Sequence, residues 1–216
     1  MFAQQGGRRR SVVAGASFSE TRTTGAGSFI VPAGYTSVEG KLVGPGAGGS
    51  RSNSGQARGG GGGAKITFTI ALDPADAGAS LAYVCGIPGA GRAGSNGDGF
   101  DATDTTLNID VLTNGTGTLT CAGAKGGKLG VNGVGGIASG SGTNVNGGNA
   151  DLLTGQGGTS ADGALGGTNW IDPTEPTPTY PAEAYGGGGA AGARLSGIQY
   201  SGGDGAIGII QLTWVP

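Results

Sequence analysis

The sequence predicts an all-β fold, and three observations lead to that class. Glycine supplies 53 of the 216 residues, and at this density it would cost an α-helix about 1 kcal/mol per residue relative to alanine. No stretch carries the apolar stripe of a helix. Several segments instead alternate apolar and polar residues with a period of two, as strands do when they bury one face. We therefore expect strands separated by glycine tracts.

Residues 64–72 and 206–215 show the clearest alternation and are predicted to be core strands. In the first segment Ile66, Phe68 and Ile70 point to one side of the strand. Leu107, Ile109 and Val111 repeat the pattern. Shorter candidate strands are residues 18–24, 28–31, 38–43, 80–85 and 118–121.

Composition limits the possible functions. Hydrophobic residues make up 36% and charged residues 12% of the chain, which is too apolar for a solvated linker. A net charge of −2 provides no overall field for nucleic acid. The sequence has no histidine, which excludes His-dependent triads, Cys-His dyads and imidazole metal sites. We predict no cofactor and no metal, and a chain that is not an enzyme.

Within the glycine tracts, glycine often recurs at every third position. The longest rows are Gly127, Gly130, Gly133 and Gly136, and Gly91, Gly94 and Gly97. Polyglycine II, with the polyproline II geometry, has three residues per turn and no internal hydrogen bonds, so bare glycine edges would let neighbouring helices bond laterally. A flexible loop is the alternative. Apolar residues inside the tracts favour a bundle that uses them as small plugs, namely Leu129, Val131, Val134, Ile137 and Leu165.

Several motifs match a known pattern. The segment Ser28-Phe-Ile-Val-Pro-Ala-Gly-Tyr-Thr-Ser-Val is followed by a strand and the glycine run 44–49. Glycines 59–63 lead back into a strand, and residues 203–212 close the chain with Gly-Asp-Gly-Ala-Ile-Gly-Ile-Ile-Gln-Leu. In this order they resemble the glycine-rich domain of bacteriophage tail-fibre and adhesin proteins, which bind receptors. The resemblance covers nearly the whole chain after residue 27.

The resemblance implies a jelly-roll-like or tumour-necrosis-factor-like β-sandwich with an inserted polyglycine II helix bundle, an architecture also found in the anaplastic lymphoma kinase receptor. It implies a spike protein on the virion surface that attaches to a host glycan or outer-membrane protein. A homo-oligomer, trimer or pentamer, is expected. A capsid decoration or cement protein without receptor binding is the alternative. A glycan-degrading enzyme would need a carboxylate pair, and no pair stands out.

The chain divides into an N-terminal arm, residues 1–16, and a glycine-rich sandwich domain, residues 17–216. The polyglycine insertions are expected at about 86–105, 122–168 and 186–205. Arg8, Arg9 and Arg10 precede an apolar run too short for an export signal. Guanidinium groups suit carboxylates and phosphates, so these arginines are predicted to anchor the chain to a capsid or tail protein.

Residues 169–185 differ from their surroundings because they contain no glycine. Four prolines stiffen the segment, and its aromatic rings offer rigid contact area. We predict a receptor-binding segment with contacts from Trp170, Glu175, Tyr180 and Tyr185. The alternative is a crossover that packs Trp170 into the core.

Two smaller groups complete the candidate sites. Cys85 and Cys121 each end a short strand and are expected to lie near each other, as a disulfide or as two buried thiols; the reducing cytoplasm in which phage proteins assemble favours thiols. Asp98, Asp101 and Asp104 supply oxygen ligands of the kind that Ca²⁺ takes, but their spacing is not that of an EF-hand. Turn formation explains them better.

Overall fold

A computed structural model describes residues 15–53, 56–151, 155–167, 185–192, 194–195 and 198–216. Within these ranges the chain forms β-strands and one 3-10 turn at Pro74–Asp76, with no α-helix. The all-β prediction is confirmed. The strands are β1 Phe18–Arg22, β2 Ala26–Ile30, β3 Ser37–Val43, β4 Lys65–Ala71, β5 Ser80–Val84, β6 Thr105–Asn108, β7 Thr118–Cys121, β8 Ala138–Ser139, β9 Thr143–Val145, β10 Arg194–Leu195, β11 Ile198–Gln199 and β12 Ile209–Val215.

Ten of these strands form two antiparallel sheets around one core. The first sheet has the order β1-β12-β3-β4-β9, the second β2-β5-β6-β7-β8, and β10 pairs with β11 separately. The core draws on both sheets: Trp214 of β12 and Phe29 of β2 are both fully buried. The indole Nε1–H of Trp214 donates to Glu20 Oε1 at 3.0 Å, which satisfies the one polar atom of that ring.

The two strands with the clearest alternation lie where the sequence predicts them. Ile66, Phe68 and Ile70 are buried in β4. The last predicted strand begins later than expected, at Ile209, because Ala206 and Ile207 already bond to glycine tracts through their carbonyl groups.

The predicted strand through Leu107, Ile109 and Val111 is wrong at its end. Strand β6 stops at Asn108, whose Oδ1 accepts a hydrogen bond from the N–H of Asp110 at 2.9 Å. This Asx-type turn redirects the chain, and Val111 is half exposed.

The glycine tracts extend from one end of the sandwich. Tract 44–53 leaves β3, and tract 56–64 returns to β4, and both are buried by the tracts around them. The surrounding tracts are residues 86–104, 122–137, 146–151, 155–167, 185–192 and 200–208.

The longest glycine row is not one continuous element. Lys128 and Val131 exchange backbone hydrogen bonds at 2.8 and 3.2 Å, and Gly130 between them has φ +77°. Residues 122–128 and 131–137 are therefore two antiparallel arms joined by a turn. Gly94, with φ +75°, likewise lies in a turn, so a glycine row in the sequence can span a reversal of the chain.

The predicted apolar plugs are also wrong. Leu129, Val131, Val134, Ile137 and Leu165 are between 41% and 60% exposed. In the arm 131–137 the exposed residues are every third one, while the glycines between them face inward. The arm lies on the outside of the bundle, and its side chains occupy the one edge where no neighbouring tract must approach.

Candidate functional site

The turns between tracts meet at the far side of the bundle from the sandwich. We call this region the distal end and define it as residues 50–53, 56–58, 92–98 and 128–131. Ser50 N–H donates to the Arg58 carbonyl at 2.9 Å, and Arg51 N–H donates to the Gly97 carbonyl at 3.0 Å. Gly130 N–H donates to the Gln56 carbonyl at 2.8 Å. These bonds place the three turns side by side.

Hydrogen bonds in three directions hold the buried tracts behind the distal end. In tract 56–64, the successive N–H groups of Gly60, Gly61 and Gly62 donate to three different tracts, with acceptors Gly189, Lys125 and Gly148 at 2.8, 3.0 and 2.9 Å. A β-strand alternates between two directions, so this tract differs from the strands. Each buried tract is tied to several neighbours at once.

Side chains complete these bonds at the outer tracts. Asp98, Asp101 and Asp104 use Oδ1 to accept from the N–H groups of Leu129, Gly126 and Gly123, at 3.1, 2.8 and 2.8 Å. We call this set the aspartate ladder. Both sides of the ladder step by three residues, so the carboxylates fix the register of two antiparallel tracts. This role, rather than Ca²⁺ binding or turn formation, accounts for the spacing of the aspartates.

The ladder also carries charge. Lys125 Nζ lies 3.1 Å from Asp101 Oδ2. Burial by itself would raise the pKa of Asp101, but the Gly126 N–H and the Lys125 ammonium outweigh burial and leave the pKa lowered. The carboxylate form is therefore the form that the surroundings stabilise.

Two asparagine side chains accept backbone hydrogen bonds in the same way on the other side of the arm 131–137. Asn146 and Asn149 accept through Oδ1 from the N–H groups of Ala138 and Gly135, at 3.0 and 2.9 Å. Beside the arm 131–137 lies a shallow recess of about 510 Å³, which is lined by Val131, Asn132, Val134, Asn149 and neighbouring small residues. Asn132 Nδ2 donates to the Ala150 carbonyl at 2.8 Å.

Cationic side chains concentrate at the distal end. Arg51, Arg58, Arg92 and Lys128 stand there against one carboxylate, Asp98, whereas the whole chain has a net charge of −2. Several tract segments supply these side chains. The Ser50 Oγ lies within hydrogen-bond distance of two of the segments, 3.1 Å from the Arg58 carbonyl and 3.4 Å from the Lys128 carbonyl. Local positive potential is what attracts anionic ligands.

A second recess lies on the outer face of the first sheet. It encloses about 520 Å³ and is lined mainly by polar residues, including Glu39, Thr67, Thr143 and Gln211. Lys41, which also lines it, is 2.9 Å from Asp162, and Lys65 is 3.4 Å from the same carboxylate. Its nearest cations are thus already paired with a carboxylate.

Most of the predicted contact residues lie outside the described ranges. Arg8, Arg9, Arg10, Trp170, Glu175 and Tyr180 are all in this group. Tyr185 is described and half-buried. Its neighbour Gly186 bonds to Gly63 and Ile207, which lie two residues before β4 and β12, so Tyr185 lies at the sandwich end of the bundle rather than at the distal end.

The two cysteines are free and buried. Thr105 pairs with Cys121, and the same ladder continued by one residue places Thr105 beside Cys85. One strand therefore separates the two cysteines, which corresponds to roughly 10 Å, too far for a disulfide. Burial raises the pKa of both thiols, that of Cys121 to about 12.

Comparison with known proteins gives no relative: no family model and no curated protein matches the chain. The described residues contain no helix long and apolar enough to cross a membrane. In the same ranges no cluster of three or more acidic or cysteine side chains is arranged to hold a metal ion.

Proposed function

We propose that this chain is a bacteriophage virion surface protein that attaches to the host cell, and that its glycine tracts form a bundle of polyglycine II helices. The observation that carries the proposal is the threefold bonding of Gly60, Gly61 and Gly62. A helix with three residues per turn directs successive N–H groups about 120° apart, which matches three acceptors in three neighbouring tracts.

The bundle supports a binding role because it turns loops into a fixed surface. Loops that carry recognition work best on a rigid scaffold. Here the distal turns are bonded to one another through residues such as Ser50 and Arg51. Arg51 lies eight residues beyond Val43, the last residue of β3, and eight residues of this helix extend roughly 25 Å. The sandwich would act as the base and the distal end as the contact surface.

The jelly-roll topology, the oligomeric state and the anchoring role of Arg8, Arg9 and Arg10 belong to the same proposal. In it, the arm joins the chain to a capsid or tail protein. Residues 169–185 form a second contact segment through Trp170 and Tyr180.

The test uses the full chain and phage particles that carry it. Fluorescently labelled chain should bind host cells saturably and slow adsorption of the phage. Replacing Trp170 and Tyr180 together by alanine should weaken binding with little change in melting temperature. Particles that lack the chain but adsorb at the normal rate would favour the decoration protein instead and overturn the adhesin proposal.

A further inference from the structure

At the distal end two arginines, Arg58 and Arg92, lie on tracts that both bond to residues 49–51, and within the described ranges neither has a counter-ion. The Arg92 side chain lies against Gly97, with its Nε 2.9 Å from the point where a β-carbon on Gly97 would stand. Gly97 exchanges two backbone hydrogen bonds with Arg51, both 3.0 Å. Arg58 bonds to Ser50, the residue before Arg51, at 2.9 Å. The segments of Arg58 and Arg92 therefore both adjoin the segment of Ser50 and Arg51.

Neither of these arginines uses its full set of donors. Arg58 Nη1 donates to the Ala57 carbonyl at 3.0 Å, and Arg92 Nη2 donates to Ser95 Oγ at 3.1 Å. The Nε atoms of both are buried and have no hydrogen-bond partner. In the described ranges, no carboxylate lies within 4 Å of either guanidinium. The buried Nε atoms are closed to solvent, but both residues are partly exposed. Arg58 Nη2 and Arg92 Nη1 are not among these buried atoms, so these two groups can donate to an acceptor from outside the chain.

The geometry of a guanidinium selects the kind of acceptor. Its fork of N–H groups matches two oxygens of one carboxylate or phosphate. The turn beside Arg92 exposes Ser95 and Asn96, which can exchange hydrogen bonds with hydroxyl groups. Acidic groups spaced by hydroxyl-bearing rings are the chemistry of an acidic polysaccharide.

We propose that the distal end binds the acidic groups of a surface polysaccharide, with Arg58 and Arg92 as the residues that receive them. Lys128, exposed on the neighbouring turn, adds positive potential. This inference rests on the proposed attachment function, because it names the ligand class of the same surface.

The experiment measures binding of the full chain to three polymers: polygalacturonate, which carries carboxylates; polyphosphate, which carries phosphates; and dextran, which is neutral. We expect binding to at least one polyanion, weakening as salt rises, and none to dextran. Replacing Arg58 and Arg92 together by glutamine should weaken binding by about tenfold for each arginine, since hydrogen bonds to charged groups are among the stronger ones.

The matched control replaces Lys41 and Lys65 by glutamine, which removes the same charge beside the sandwich. This variant should keep its affinity, and melting curves should show that both variants are folded. Equal losses of polyanion affinity in the two variants, or no binding of the wild-type chain to either polyanion at low salt, would overturn the inference. So would binding to anionic phosphatidylglycerol vesicles but to neither polyanion, which would identify a membrane surface instead.

Host-cell binding, measured with the same proteins, separates the two proposals. If the arginine variant binds cells as well as the wild-type chain does, the polysaccharide inference fails and attachment stands. If wild-type chain binds polyanion but no host cells, attachment fails on its own.

Discussion

The ring of Phe68 fills the space in which a β-carbon on Gly40 would stand. The two residues lie opposite each other in β4 and β3, and a methyl group on Gly40 would overlap the ring carbons. A glycine inside a strand is otherwise unfavourable, so at this position the absence of a side chain is what lets the aromatic ring pack.

Gly40→Ala should therefore destabilise the sandwich by about 1–3 kcal/mol, the usual cost of an overfilled core. Urea unfolding followed by tryptophan fluorescence measures the change. The double variant Gly40→Ala with Phe68→Leu should lose less stability than the two single variants lose in sum, because the smaller side chain at position 68 relieves the overlap. Additive losses would show that the contact with Phe68 is not the cause.

The glycine tracts give a second prediction. A β-carbon on Gly49 would overlap the carbonyl of Ala190, and a backbone neighbour cannot rotate away. Gly49→Ala should cost about 3 kcal/mol, measured by urea unfolding. Gly130→Asn is the control, because position 130 has open space and a positive φ, which asparagine tolerates; its expected cost is about 1 kcal/mol or less. Similar stability of the two variants would contradict the close approach of the tracts.

A third prediction concerns acid stability. Asp76 is buried and accepts hydrogen bonds from Asp73 N–H and from the N–H and hydroxyl of Thr113, at 2.9, 2.9 and 2.8 Å. Burial would raise its pKa, but these bonds together lower it below the ordinary 3.8. A lowered pKa means that the carboxylate contributes stability above about pH 4, and that this contribution is lost as the pH falls through the lowered pKa.

Asp76→Asn should consequently destabilise the protein most at neutral pH, and the difference from wild type should shrink towards pH 2. Urea unfolding across that range measures it. Asp73→Asn is the control, since the side chain of Asp73 caps the backbone N–H groups of the 3-10 turn and asparagine caps equally well. A difference that stayed constant with pH would exclude the charge of Asp76 as the cause.

The thiols provide a fourth prediction. Because Cys85 and Cys121 are buried with raised pKa values, the reactive thiolate is scarce and shielded. At pH 8 the folded protein should react with a disulfide reagent such as dithionitrobenzoate at least about 100-fold more slowly than in denaturant, where two thiols should appear. Fewer than two reactive thiols per chain in denaturant without reductant would indicate a disulfide.

The strands could be predicted from the sequence because their signal is local. Alternation in residues 64–72 needs no knowledge of the partner strand, and it placed Ile66 and Phe68 correctly. The tracts are different, since the partners of Gly60 and Gly62 are Gly189 and Gly148, and nothing local identifies them. Glycine periodicity therefore could not reveal that the chain reverses at Gly130.

The distal end was missed for a similar reason. Arg51, Arg58 and Arg92 stand apart in the sequence, and only the bonds between turns bring them together. The aspartate ladder, by contrast, can be recognised in the sequence. Aspartates at 98, 101 and 104 repeat with the period of the glycine tracts, and that shared period distinguishes a lateral acceptor from a calcium loop.

The ladder has a consequence for how such a bundle can change its length. Asp98, Asp101 and Asp104 keep their partners only if both tracts shift by whole turns, so a viable insertion adds three residues to each arm of the hairpin. In the polyglycine II geometry that we propose, each step lengthens the arm by about 9 Å. The distance from the sandwich to the distal end would then grow in discrete increments, and an insertion of one or two residues would misalign every aspartate contact beyond it.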